Sequence, residues 1–146
     1  MWPYTIQEMS ILAAAPAAPP EPRGELAARL VAMPADTNPS GEIFGGWIMS
    51  LMDTAGMMTA TKLAQGRVVT AAVTDMAFLS PVSVGDVVCC YADVAEIRRT
   101  SARLHVEVWA LRAGLGERVK VTSAEFTFVA LDDDRRPRPF QPEALL

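Results

Sequence analysis

The sequence predicts an α+β domain in which an antiparallel sheet curls around one long helix. Two observations carry that expectation. Trp47, Ile48, Leu51, Met52, Ala55 and Met58 recur at three- and four-residue steps, the period of a helix with one broad apolar face. Beyond Gly66 the texture changes to four long β-branched runs joined by short turn-rich connections, which reads as antiparallel strands. A sheet wrapped on the helix buries the helix's apolar face and satisfies that element count.

Length and composition set the frame. A chain of 146 residues is one domain by the usual size prior and can bury a substantial core. With 51% hydrophobic and 21% charged residues it is greasier than an average domain, which suits a protein that hides surface in an oligomer. The formal charge of −4 and the scattered basic residues argue against a nucleic-acid partner. No run approaches the ~20 apolar residues of a membrane-spanning helix, so no membrane partner is expected.

In chain order, residues 1–23 hold Ala13 to Pro20 and Pro22, a composition that breaks helix and strand, and are expected to form a disordered tail. A signal peptide is not expected, because the first basic residue is Arg23. Residues 24–134 form the predicted domain. Within it, Glu25 to Met33 favours a short helix by propensity alone. Pro34, Asn38, Pro39, Ser40 and Gly41 then mark a loop. The helix follows from about Gly46 to about Ala64, and Gln65-Gly66 is a natural stop.

Four strands are expected over Arg67 to Phe78, Asp86 to Arg98, Ser101 to Arg112 and Val119 to Leu131. The charged end after Asp132 reads as solvated, with residues 135–146 as a C-terminal tail. Cys89 and Cys90 are adjacent in an alternating segment, so no disulfide framework exists and a cytoplasmic location is expected. His105 is the single histidine, which excludes a multi-histidine metal site, and it is read as a strand residue.

One residue in the helix stands out chemically. Asp53 lies among Leu51, Met52, Ala55 and Met57, and the nearest basic residue, Lys62, is too far along the chain to be an i+4 partner. It shares a side with Gly46, two turns away, on the order of 10 Å. A helix N-terminus presents unpaired N–H groups and partial positive charge, and glycine lets a ligand oxygen approach them. Gly45 and Gly46 therefore outline an oxyanion site with a carboxylate beside it.

Pro34-Ala-Asp-Thr-Asn38, Gly41, Phe44-Gly-Gly-Trp-Ile-Met-Ser50, Asp53 and Gly66-Arg-Val-Val-Thr70 resemble the hotdog-fold acyl-CoA thioesterases, in particular the YciA-like group. The likeness continues through Phe78 to Val82, Val84 to Val88, Glu107 to Trp109 and Glu125 to Val129. It implies a hotdog fold with about five strands, the first formed by Glu25 to Met33. It implies hydrolysis of acyl-CoA to a free acid and coenzyme A, with no cofactor beyond the substrate's own. Asp53 would act as general base or nucleophile, Asn38 would join it across a two-fold homodimer, and three such dimers would form a hexamer.

For the coenzyme and acyl parts the candidates are Thr70, Phe78, Ser80, Pro81, Gly85 and the turn Arg98, Arg99, Thr100 and Ser101. There, guanidinium and hydroxyl groups could meet phosphate oxygens. Relatives often carry a basic residue where this chain has Ser80, which weakens a phosphate role at that position. The competing reading is a non-catalytic hotdog module that holds acyl-CoA without turning it over. A hydratase of the same fold would need a histidine near the helix, and His105 is in a late strand.

Overall fold

The computed structural model describes residues 3, 5 and 20–140. Most of the expected N-terminal tail, and residues 141–146 of the expected C-terminal one, lie outside the described residues. The elements are β1 (Glu25–Val31), α1 (Gly45–Ala64), β2 (Val68–Phe78), β3 (Val87–Ile97), β4 (Ser101–Leu111) and β5 (Arg118–Ala130). Every strand pairs antiparallel with its neighbours in one sheet of order β1-β3-β4-β5-β2, which leaves β1 and β2 as the edges. Glu25–Val31 is a strand although its residues favour a helix, because β3 offers it a ladder from Ala92 to Val87. No helix of the described residues is long and apolar enough to cross a membrane.

The alternating pattern sorts each strand into two faces. Leu104, Val106, Val108, Phe126 and Phe128 are buried toward α1, which contributes Ile48, Met52, Ala55 and Ala60 to the same core. Cys90 is in that core, where burial pushes its thiol up to about 12, while Cys89 faces the other way beside the Arg29 guanidinium. On the outer face His105 stands between Glu107 and Glu125, 2.7 Å from each, as a strand residue of β4. Burial alone would push Glu107 up. The Trp109 indole, the Arg23 amide, His105 and the Lys120 ammonium outweigh it and hold the carboxyl below its ordinary range. Arg23, assigned from sequence to the tail, is thus pinned to the sheet.

The helix presses closely on the sheet at Gly56. A Cβ there would come within 2.9 Å of the Phe128 ring. Gly56→Ala removes a mid-helix glycine, which by propensity alone stabilises by about 1 kcal/mol. The clash with a fully buried ring costs about 1–3 kcal/mol, so a lower melting temperature is expected. Calorimetry checks the sign, and a higher melting temperature would show that Phe128 is free to move away.

The end of the chain corrects the expectation of a solvated tail from residue 135. Leu131 bridges to Pro137, Phe140 is 5% exposed, and its N–H donates to the Arg99 carbonyl at 3.0 Å. Arg138 donates from Nε to the Leu131 carbonyl and from Nη2 to the Ala64 carbonyl, at 3.0 and 2.9 Å. A cation on the last carbonyls of α1 complements the partial negative charge of that end. The charged turn Asp132 to Arg136 is solvated, but Pro137 to Phe140 form a strap across the end of the helix.

Candidate active site

The loop before the helix is built by Asn38. Its side-chain Oδ1 accepts the N–H groups of Ser40 and Glu42 at 2.9 and 3.1 Å, and its own N–H donates to the Glu42 carbonyl at 2.6 Å. This is an Asx-type turn, closed further by the bridge between Thr37 and Ile43. With the amide oxygen committed to the loop, the part of Asn38 left to meet a ligand is its NH2 group, a donor.

The loop delivers the chain into α1 with Phe44 at the N-cap, where Ser, Thr, Asp and Asn are the usual residues, and no side chain caps the helix. The Trp47 N–H is used by the Phe44 carbonyl at 3.1 Å. The N–H groups of Gly45 and Gly46 meet no acceptor among the described residues. The glycines have a further reason beyond ligand access: a Cβ on Gly46 would lie 2.9 Å from the Phe44 ring and one on Gly45 3.3 Å from the Phe78 ring. A side chain at either glycine would therefore meet an aromatic ring.

Asp53 lies exposed two turns along the helix, and Thr70 of β2 donates its hydroxyl to Oδ1 at 2.6 Å. A groove of about 340 Å³ runs past them, from Gly46 and Met49 on α1 to Val73 on β2 and Phe126 on β5. Asn38 of the same chain does not line it. Thr70, expected at the coenzyme or acyl part, sits directly on the carboxylate and fixes its orientation. Thr70→Val is expected to lower kcat by about tenfold or more, the worth of a hydrogen bond to a charged group. Thr70→Ser should restore most of it with the melting temperature little changed, and a failure of serine to rescue would remove the hydroxyl from the argument.

A second groove of about 390 Å³ meets the helix start from another side, lined by Glu42, Ile43, Gly45, Phe78, Ser80 and Pro81 among others. Phe78, Ser80 and Pro81 are thus gathered at Gly45. Gly85 is not in either groove. It is a turn residue with φ of +92°, and its N–H donates to the Ala32 carbonyl at 2.9 Å. Neighbouring Asp86 is buried, which alone would push it up. The N–H groups of Ser83 and Ala113 and the Arg112 guanidinium outweigh burial and hold it low.

Arg98 and Ser101 line a separate small cavity with Arg103, and Glu96 already engages both guanidinium groups, at 3.2 and 3.4 Å. Arg99 and Thr100 lend their carbonyls to Phe140 and Ala130. Sequence reasoning missed the apolar side of the Asp53 groove. Val73 and Phe126 meet only through the pairing of β2 with β5, a long-range register that no local pattern encodes.

A five-stranded antiparallel sheet curled on one long helix is the arrangement of the hotdog fold. A family model described as the thioesterase superfamily matches residues 40–117. The acyl-CoA thioester hydrolase YciA of Salmonella typhimurium is 52% identical over 121 residues, 81% of this chain and 91% of that one. Two solved structures superpose over most of the chain. A hexameric thioesterase from Yersinia pestis gives a TM-score of 0.79 at 51% identity, covering 83% of this chain and 98% of that one. A hexameric hotdog-fold thioesterase of Campylobacter jejuni gives 0.78 at 42%, covering 84% and 94%. The chain belongs to the thioesterase superfamily, in its YciA-like group.

Proposed function

We propose that this protein hydrolyses acyl-CoA thioesters to a free carboxylic acid and coenzyme A, in the cytoplasm, as a hexamer of three two-fold dimers. The observation that carries the reading is the pair of unpartnered amides at Gly45 and Gly46 beside Asp53 held by Thr70. The thioester carbonyl oxygen accepts from those amides, whose stabilisation of the developing oxyanion is worth about 3 kcal/mol per donor in other enzymes. Asp53 Oδ2 supplies the electron pair, either by taking a proton from the attacking water or by attacking the carbonyl carbon itself to give a mixed anhydride that water then hydrolyses. The C–S bond breaks, the coenzyme thiolate takes up a proton, and water is the only co-reactant.

The acyl chain lies in the groove walled by Met49, Val73 and Phe126. Pantetheine, whose two amides need partners, takes the groove at Ser80 and Glu42. The turn Arg98 to Ser101 remains our candidate for the coenzyme phosphates, which would compete with Glu96 for the guanidinium groups. A second copy completes the site. Met49, Met57, Val69 and Val73 are each exposed by 40–45% along the β2 edge and the adjoining helix face, a surface suited to a two-fold partner. That partner would bring the Asn38 NH2 group.

Thiol release from a panel of acyl-CoAs of increasing length tests the proposal. Turnover on part of the panel is expected. Tight binding with no thiol released from any member would instead leave a non-catalytic acyl-CoA module.

A further inference from the structure

The segment that leads from β1 into α1 is braced within itself. The Phe44 N–H donates to the Asp36 carbonyl at 3.2 Å and the Asn38 N–H to the Glu42 carbonyl at 2.6 Å, on either side of the bridge between Thr37 and Ile43. Asn38 and the start of the helix therefore belong to one stiff piece. Among the described residues, the backbone bonds that fasten both ends of this piece go to a single turn, Val82 to Asp86. At its start the Ala32 N–H donates to the Asp86 carbonyl at 3.0 Å and the Ala32 carbonyl accepts from Gly85 at 2.9 Å; at its end the Ile43 N–H donates to the Val82 carbonyl at 3.0 Å. Ala32, Ile43 and Val82 are all buried, which shields these bonds from water. The turn in turn owes its shape to Asp86, itself only 3% exposed. Oδ2 accepts the Ser83 N–H at 2.9 Å and Arg112 Nη1 at 2.6 Å, and Oδ1 accepts the Ala113 N–H at 3.1 Å. The carboxylate thus locks the turn on itself and fastens it to the residues that follow β4.

Resting on the hydrolase reading above, we infer that Asp86 is a positioning residue for hydrolysis, acting with Arg112 through the turn 82–86. That turn holds the segment that carries Asn38 and sets where the Gly45 and Gly46 amides stand. Asp86 touches no substrate. If the turn loosens, the amides and the Asn38 NH2 group drift from the place where charge develops on the carbonyl oxygen. These contacts are made most strongly in the transition state, so their loss falls on kcat more than on KM.

The test compares the wild type with Asp86→Asn, Arg112→Ala and Arg112→Lys, measuring kcat and KM on one acyl-CoA, melting temperature, light scattering and backbone hydrogen exchange. Whichever way the amide of D86N turns, its NH2 faces an N–H donor, so the turn opens. Its kcat is expected to fall by about ten- to a hundredfold, the scale of a small misplacement of reacting groups, with KM changed by about twofold or less. R112A should lose less, and R112K should recover most of that loss by keeping a cation beside the carboxylate. In R112A the Ala32 and Ile43 amides should exchange faster while Val106, deep in β4, keeps its protection. Arg138→Ala, at the far end of the helix, is the control that loses stability without touching the turn. If D86N does not fold, R112A and R112K decide the matter. Folded, assembled R112A with the kcat of an active wild type, or with a loss no greater than R138A shows for the same drop in melting temperature, would overturn the inference and leave the hydrolase reading intact. A wild type inert on every acyl-CoA would remove that reading, and the inference with it.

Discussion

Asp53→Asn is expected to reduce turnover by about 10²- to 10⁴-fold, the usual worth of a positioned acid or base, while the protein folds and assembles as before. The amide keeps the shape of the carboxylate, and its oxygen can still accept from the Thr70 hydroxyl, which lies 2.6 Å from Oδ1 in the wild type. What disappears is the basic carboxylate oxygen that the proposed chemistry uses by either route. Asp53 is exposed on the helix, so its replacement leaves no buried group unsatisfied and the melting temperature should barely move. Thiol release and thermal melting are measured on the same preparation. Activity near that of the wild type would take Asp53 out of the chemistry, and a large loss of stability would make its role structural.

Mixing Asn38→Ala with Asp53→Ala, each inactive alone, is expected to restore about a quarter of wild-type activity once subunits exchange. If each site takes Asn38 from one chain and Asp53 from its partner, a mixed dimer holds one site lacking both residues and one intact site. Random exchange makes about half the dimers mixed, each with one working site of two, which gives the quarter. The loop supports this division of labour: Asn38 spends its oxygen on the Ser40 and Glu42 amides and does not line its own chain's Asp53 groove. Exchange must be forced by partial unfolding and refolding or by co-expression, because a buried interface can be kinetically locked. Since N38A also breaks the Asx turn, its melting temperature is checked first. Mixed dimers that stay inactive would put both residues in one chain's site.

The helix and its carboxylate were legible in the sequence because both are local. The period of apolar residues placed α1 to within one residue of its observed start, Gly45, and Asp53 stood out by its isolation from any basic neighbour. β1 was not legible locally, since a run rich in Leu, Ala and Arg becomes a strand only because β3 is beside it; the family resemblance supplied it. The apolar side of the Asp53 groove was hidden for a related reason. Register shifts between Thr70 and Ala72 and between Thr74 and Ala77 decide which β2 side chains face Phe126. Asp75, at φ of +58°, absorbs the second irregularity, and nothing in its neighbours announces it. The C-terminal strap escaped the sequence reading because prolines and charges usually mean solvent, whereas here Arg138 finds three carbonyls to serve.

That strap separates two properties that often trade against each other. Twenty residues make α1 about 30 Å long, and Arg138 sits at the opposite end from Gly45 and Gly46. Electrostatic influence in physiological salt fades over about 8 Å, and a helix terminus acts through its own last turn rather than through the whole rod. The guanidinium therefore contributes to durability without altering the field at the amides. Heat tolerance in this protein can be tuned from residues 131–140 as an independent dial, with the proposed site at the far end left as it is.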